Sequence, residues 1–181
     1  MHSYRQRFHE ASEAGRSIGR RACSVLFVCY ENICRSPMAE GIFRDLIVRH
    51  GVQGVLDTAS AGTVGYQAGS YPDSRARKVA RRHGIDISAR KAQGLDELDP
   101  GAFDWIFTMD SENYHDVRSR FPSDEDPPVY PVMYFVPGRE WDDVADPYYG
   151  SEDDFLHVFR QLQTALGYIF QEISAGLVHD E

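Results

Sequence analysis

At 181 residues, 42% of them hydrophobic, the chain is long enough for one domain with a sizeable core, and nothing in it marks a second. A formal net charge of −9 argues against a nucleic-acid partner, and no apolar run approaches the ~20 residues of a membrane span. Three cysteines (Cys23, Cys29, Cys34) are too few for a disulfide scaffold, and the seven histidines show no metal-ligand spacing.

Residues 1–21 interleave arginines with Glu10 and Glu13 and carry no apolar leader. They read as an N-terminal extension, flexible or a short helix, ahead of a domain over 22–181; a docked or oligomerising helix is the rival. The cysteine usage fits a reducing compartment, so a cytoplasmic location is expected.

Val25-Leu-Phe-Val28 is an apolar β-type run, and Met38, Ala39, Ile42, Phe43, Leu46 and Ile47 recur at helical spacing. Between them lies Cys29-Tyr-Glu-Asn-Ile-Cys-Arg35-Ser-Pro37, so a strand runs through a tight loop into a helix. Ser36 suits the N-cap and Pro37 the first helical position. Loop N–H groups and the helix N-terminus make such a junction an anion site. Arg35 adds a planar fork matched to phosphate oxygens. Cys29, at the strand's end, is expected as a thiolate well below the ~8.5 of a free thiol.

Gly51 to Gly54 stop the helix, and Val55 to Ser60 read as a second strand. In a parallel sheet the small-residue loop 61–69 falls beside the anion site, and Tyr66 within it is a candidate pocket wall or an ordinary surface aromatic. Pro72 opens a helix to about His83, with Gly84 as its cap. An irregular or helical piece over 95–103 leads to a third strand, Asp104 to Met109. Asp110 or Ser111 caps a helix reaching Arg120, and a Pro- and acid-rich loop covers 121–128. Val129 to Phe135 read as a fourth strand, placed at an edge by Pro131. After a long loop, 136–150, a helix over 151–175 carries the core stripe Phe155, Phe159, Leu162, Leu166, Ile169 and Ile173. This alternation predicts a three-layer αβα fold with a four-stranded parallel sheet, flavodoxin- or Rossmann-like, with the phosphate loop after the first strand.

Charge is uneven. Seven bases and one acid lie between Arg75 and Lys91, and ten acids and one base between Glu140 and Glu181. Both read as solvated helix faces; alternatively, the acidic end shapes which partner approaches.

Cys-x5-Arg-Ser-Pro with Asn-Ile-Cys in register resembles the signature of the low-molecular-weight protein tyrosine phosphatases, typically Cys-x-Gly-Asn-Ile-Cys-Arg-Ser-Pro. Cys29, Asn32, Ile33, Cys34, Arg35, Ser36 and Pro37 match, and Glu31 replaces the usual Gly. The resemblance begins near Ser24. It implies a protein-tyrosine phosphatase in which Cys29 forms a phosphocysteine and Arg35 clamps the phosphate. Tyr30, Glu31, Asn32, Ile33, Cys34 and Ser36 would then line the bound group.

Expelling an alkoxide or phenoxide calls for a general acid. Spacing alone does not choose one among the many acids. The family's Asp-Pro-Tyr-Tyr matches Asp146 to Tyr149, so the resemblance implies Asp146 as acid and then base, with Tyr148 and Tyr149 flanking a flat ring. By the same matching, Ser36 donates to the thiolate, Asn32 braces the loop, Ser60 and His83 contact that asparagine, and Cys34 pairs reversibly with Cys29. The scheme requires no metal and no cofactor. It implies a tyrosine-phosphorylated protein as substrate and, at family level, a cognate tyrosine kinase as partner; a monomer or weak dimer is expected.

Glu31 is expected on the loop's rim. At ~7 Å its repulsion of one unit of negative charge costs roughly 0.6 kcal/mol in water and about 2.4 at an effective dielectric of 20. A positive φ there would add ~1–2 kcal/mol. Three rivals stay open. Arsenate reduction on this fold uses later cysteines that are missing here. Phosphoarginine hydrolysis goes with Thr at the place of Ile33. A non-catalytic phosphate-binding module would be marked by Glu31.

Overall fold

In the computed structural model, which describes residues 22–121 and 127–177, the chain is built around β1 (Cys23–Cys29). The expected N-terminal extension, 1–21, lies outside the described residues, as does most of the loop after Phe121. β1 pairs in parallel with β2 (Leu56–Gly62) and with β3 (Trp105–Thr108), and β3 pairs in parallel with β4 (Val129–Pro131). The order β2-β1-β3-β4 is the expected four-stranded parallel sheet. The chain leaves β1 toward β2 and leaves β3 toward β4, on opposite sides, so the loops after β1 and β3 part at the carboxyl edge and open a crevice there.

Both faces of the sheet are covered, which is why Val25–Val28 is continuously apolar instead of alternating. Val25, Phe27 and Cys29 enter one core, with α1 (Arg35–Arg49), α2 (Ser74–Arg82) and α4 (Glu152–Leu177). Leu26 and Val28 enter the other, with Ile106, Val129 and Val117 of α3 (Ser111–Arg120). Phe27 lies 5.4 Å from Phe43 edge-on and 5.9 Å from Phe107 stacked, tying α1 and β3 through the central strand. Truncating it to Ala would cost about 3–5 kcal/mol. The α4 stripe from Phe155 to Ile173 is buried as its spacing predicts. No described helix is long and apolar enough to cross a membrane.

Three local expectations need correction. α1 starts at Arg35, and Cys34, not Ser36, is its N-cap, without a side-chain capping bond; the Ser36 hydroxyl is used elsewhere. β2 runs two residues past Ser60, because Ala61 and Gly62 stay in register with Val28 and Cys29. β4 stops at Pro131. There the Tyr134 N–H turns back to the Pro131 carbonyl (3.0 Å) and the Val136 N–H to Met133 (2.9 Å), burying Val132, Met133 and Phe135 in turns. That apolar run imitates a strand because burial alone demands it.

Candidate active site

β1 delivers Cys29 to the carboxyl edge, and the chain from Tyr30 to Cys34 curls back before α1 begins. The curl needs one left-handed residue. Asn32, at φ 59°, is the described non-glycine residue that supplies it, and Asn tolerates that region better than most side chains. Its side chain fixes the turn: Nδ2 donates to Ser36 Oγ (2.8 Å) and Ser60 Oγ (2.9 Å), and Oδ1 accepts from the Gln93 N–H (3.0 Å). With Asn32 donating to it, Ser36 Oγ sits 3.0 Å from Cys29 Sγ and 3.3 Å from the Ala61 carbonyl, so its proton points at the sulfur or at that oxygen.

The brace reaches further than the loop. Ser60 Oγ donates to Glu40 Oε2 (2.7 Å), and the buried Glu40 is held by Arg44 (2.9 Å) and Arg90 (3.1 Å). β2 can lie this close because position 62 is glycine. A Cβ there would meet the Tyr30 and Val64 carbonyl oxygens at 2.7 Å.

Arg35 is 2% exposed and aims across the crevice. Nη1 donates to Asp110 Oδ2 (2.5 Å) and the Val144 carbonyl (3.0 Å), and Nη2 to Asp146 Oδ2 (2.6 Å). Nε is buried without a hydrogen-bond partner among the described residues. Burial opposes the guanidinium's charge, but Cys29, Asp146 and Asp110 outweigh it and push its pKa above the ordinary range. Burial first, then the charges of Cys29 and Asp146, push the Cys34 thiol far above its usual range, so it stays protonated.

Topology brings the carboxylates here. β3 runs parallel to β1, the Met109 N–H bonds the Val28 carbonyl (3.1 Å), and Asp110 follows at the same edge. The long loop is stitched to the same place by Val144 N–H to the Met109 carbonyl (2.8 Å), two residues before Asp146. Cys29, Tyr30, Glu31, Ile33, Cys34, Asp146, Tyr148 and Tyr149 line one cavity of about 220 Å³. A sulfur, a guanidinium with a spare donor and a carboxylate at the mouth are the parts needed to hold a tetrahedral anion and exchange a proton beside it.

Eight of the residues singled out in the sequence line this cavity, and Arg35, Asn32, Ser36 and Ser60 are tied to it by the hydrogen bonds above; Tyr66 and His83 join neither group. Tyr66 is 78% exposed and does not line it. His83 does not reach Asn32: its Nδ1 bonds the Val79 carbonyl (2.9 Å) and its ring packs on Phe159. Glu31 is partly buried at the mouth, makes no hydrogen bond or ion pair with the described residues, and is free of the positive φ that falls on Asn32. Sequence reasoning missed Asp110 as a partner of Arg35, together with Glu40, Gln93 and Gly62. The one local signal, Asp110 as a helix cap, is real but incomplete: Oδ1 accepts from the Asn113 N–H while Oδ2 takes Arg35.

A family model for low molecular weight phosphotyrosine protein phosphatase matches residues 24–178. The chain belongs to this family. The low molecular weight protein-tyrosine-phosphatase YfkJ of Bacillus subtilis is 40% identical over 141 residues, 78% of this chain and 89% of that protein. The human low molecular weight phosphotyrosine protein phosphatase is 36% identical over 140 residues, 76% of this chain and 87% of that protein. The crystal structure of a protein tyrosine phosphatase from Entamoeba histolytica, with Hepes in the active site, aligns with a TM-score of 0.80 at 32% identity, over 87% of this chain and 100% of that one. The low-molecular-weight phosphatase fold thus extends from β1 to the end of α4, with the Cys29 loop and the Asp146 segment both inside the match.

Proposed function

We propose that the chain hydrolyses phosphotyrosine in proteins through a phosphocysteine. Cys29 Sγ attacks phosphorus and forms the S–P bond. The P–O bond to the tyrosine breaks, and the leaving oxygen takes a proton from Asp146. Water then attacks the phosphocysteine and loses a proton to Asp146; the S–P bond breaks, and inorganic phosphate leaves.

Arg35 and the loop amides hold the non-bridging oxygens through both steps, which is where phosphoryl transfer gains most. Arg35 Nε, without a partner among the described residues, is a donor free for this, and an incoming phosphate takes over the Nη2 edge now bonded to Asp146. Asp146 is thereby released toward the leaving group. Ser36 donates to the sulfur, Asn32 and Ser60 fix the loop, and Tyr148 and Tyr149 bracket the aromatic ring. The neutral Cys34 thiol is the partner for reversible oxidation of Cys29. A tyrosine-phosphorylated protein is the substrate, a cognate tyrosine kinase its source, and the cytoplasm its setting.

The observation that carries this reading is that Cys29 and Asp146 line one small cavity, with Arg35 bonded to Asp146. The test is turnover of p-nitrophenyl phosphate in chelator and its loss in Cys29→Ser. One observation favours a second reading: Glu31, which lines the cavity and has no partner among the described residues, fits a module that binds phosphate weakly without turnover. Binding of phosphotyrosyl peptide without hydrolysis would select that reading, and turnover removes it.

A further inference from the structure

The basic stretch seen in the sequence becomes a groove on the outer face of α2, about 440 Å³, lined by Ser74, Arg77, Lys78, Arg81 and Arg82. Helical spacing puts these side chains on one face. Glu152, at the start of α4, accepts from Lys78 Nζ (2.6 Å) and also from Arg82. Arg81 donates to Ser88 Oγ (3.0 Å) and feels the Asp86 charge. The Arg77 side chain has no partner among the described residues. Four cations therefore face two carboxylates in a chain of net charge −9. Screening over ~8 Å at physiological salt keeps that local excess distinct from the overall charge.

The groove adjoins the catalytic mouth. The Asp73 N–H, at the foot of α2, bonds the Ile33 carbonyl of the phosphate loop (2.8 Å). Arg75 donates to the carbonyls of Tyr148 (2.9 Å) and Gly150 (2.8 Å), so α2 carries the aromatic lip. Arg77 and Arg82 lie roughly 6 and 14 Å along the helix from Asp73, a distance spanned by about two to four residues of extended peptide. Glu152 shows what the surface accepts: a carboxylate held between two cations.

We propose that the α2 groove docks acidic residues two to four positions from the phosphotyrosine of the protein substrate. The inference rests on the phosphatase reading above. Its test compares phosphotyrosyl peptides that differ only in Glu or Gln at those positions, on either flank. Wild-type protein is expected to favour the Glu peptide on one flank by about three- to tenfold in kcat/KM at 50 mM salt. At 500 mM salt the preference shrinks. It is lost in Arg77→Gln/Arg81→Gln, whose turnover of p-nitrophenyl phosphate stays at the wild-type value. Equal rates on both flanks, a salt-independent preference, or a preference that survives in the double variant would overturn it. Wild-type protein inert toward p-nitrophenyl phosphate would overturn the phosphatase reading and this inference with it.

Discussion

The two halves of the site are built differently. Beyond Tyr30 and Glu31 the phosphate loop is buried, and it is cross-braced: Asn32 bonds Ser36, Ser60 and Gln93, and Glu40 anchors the far end between two arginines. The Asp146 segment is an open strap. Asp146 is 43% exposed and Tyr149 98% exposed. The strap is pinned at Val144, by the Arg35 pair and by the Arg75 bonds to two carbonyls. An anion held by many donors gains only if those donors are fixed beforehand. A proton donor for a protein-borne leaving group must instead leave room for that protein. Damage to the loop should therefore cost stability and activity together, and damage to the strap activity alone.

Cys29→Ser gives the largest effect, with kcat reduced at least about 10⁴-fold while binding of phosphate, followed by calorimetry, persists. Arg35→Lys keeps the charge but loses the fork. Turnover of p-nitrophenyl phosphate falls roughly 10³-fold, and because one ammonium cannot reach Asp110, the Val144 carbonyl and Asp146 together as the guanidinium does, thermal unfolding shows a loss of about 1–3 kcal/mol. Asp146→Asn lowers kcat about 10²–10³-fold on phenyl phosphate, whose leaving group needs the proton, and less on p-nitrophenyl phosphate. Its Tm should match the wild type; a lowered Tm would erase the contrast between strap and loop.

Asn32→Ala removes a brace at a positive φ and should cost about 1–3 kcal/mol in denaturant unfolding, with a smaller fall in kcat. Glu31→Gly is the mildest. Relief of repulsion should raise kcat/KM about three- to tenfold, and the added glycine should lower stability by about 0.5–1 kcal/mol because no strain is relieved. An unchanged or lower kcat/KM would show that Glu31 repels nothing at the mouth.

Legibility in the sequence follows the same divide. The phosphate loop is local, and strand, turn and helix signals within fifteen or so residues disclosed Cys29, Arg35 and the curl between them. The four-stranded parallel sheet followed from alternation, though not the order of its strands, and the α4 stripe from its period. Asp146 is more than a hundred residues away from Cys29, and only the Asp-Pro-Tyr-Tyr resemblance singled it out. Asp110, Glu40 and Gln93 had no signal of their own, because their roles arise when parallel pairing brings strand ends to one edge. Tyr66 and His83 differ from the loop residues in the other direction. Loop position suggested Tyr66 as a pocket wall, with a surface aromatic as the alternative, and motif matching set His83 beside Asn32; Tyr66 is exposed, and His83 Nδ1 bonds the Val79 carbonyl while its ring packs on Phe159. Glu31 was legible as a departure but not in its geometry, since a sequence does not say which loop residue carries the positive φ.

The central claim is a covalent phosphoryl group on Cys29 whose removal needs Asp146. Rapid mixing of the Asp146→Asn protein with p-nitrophenyl phosphate tests it most directly, because this leaving group departs without a proton while the second step still requires a base. The account predicts a burst of p-nitrophenolate equal to the concentration of active chains, then slow turnover, with a phosphocysteine signal in the quenched protein. Steady turnover at the wild-type rate, with neither burst nor phosphocysteine, would contradict it.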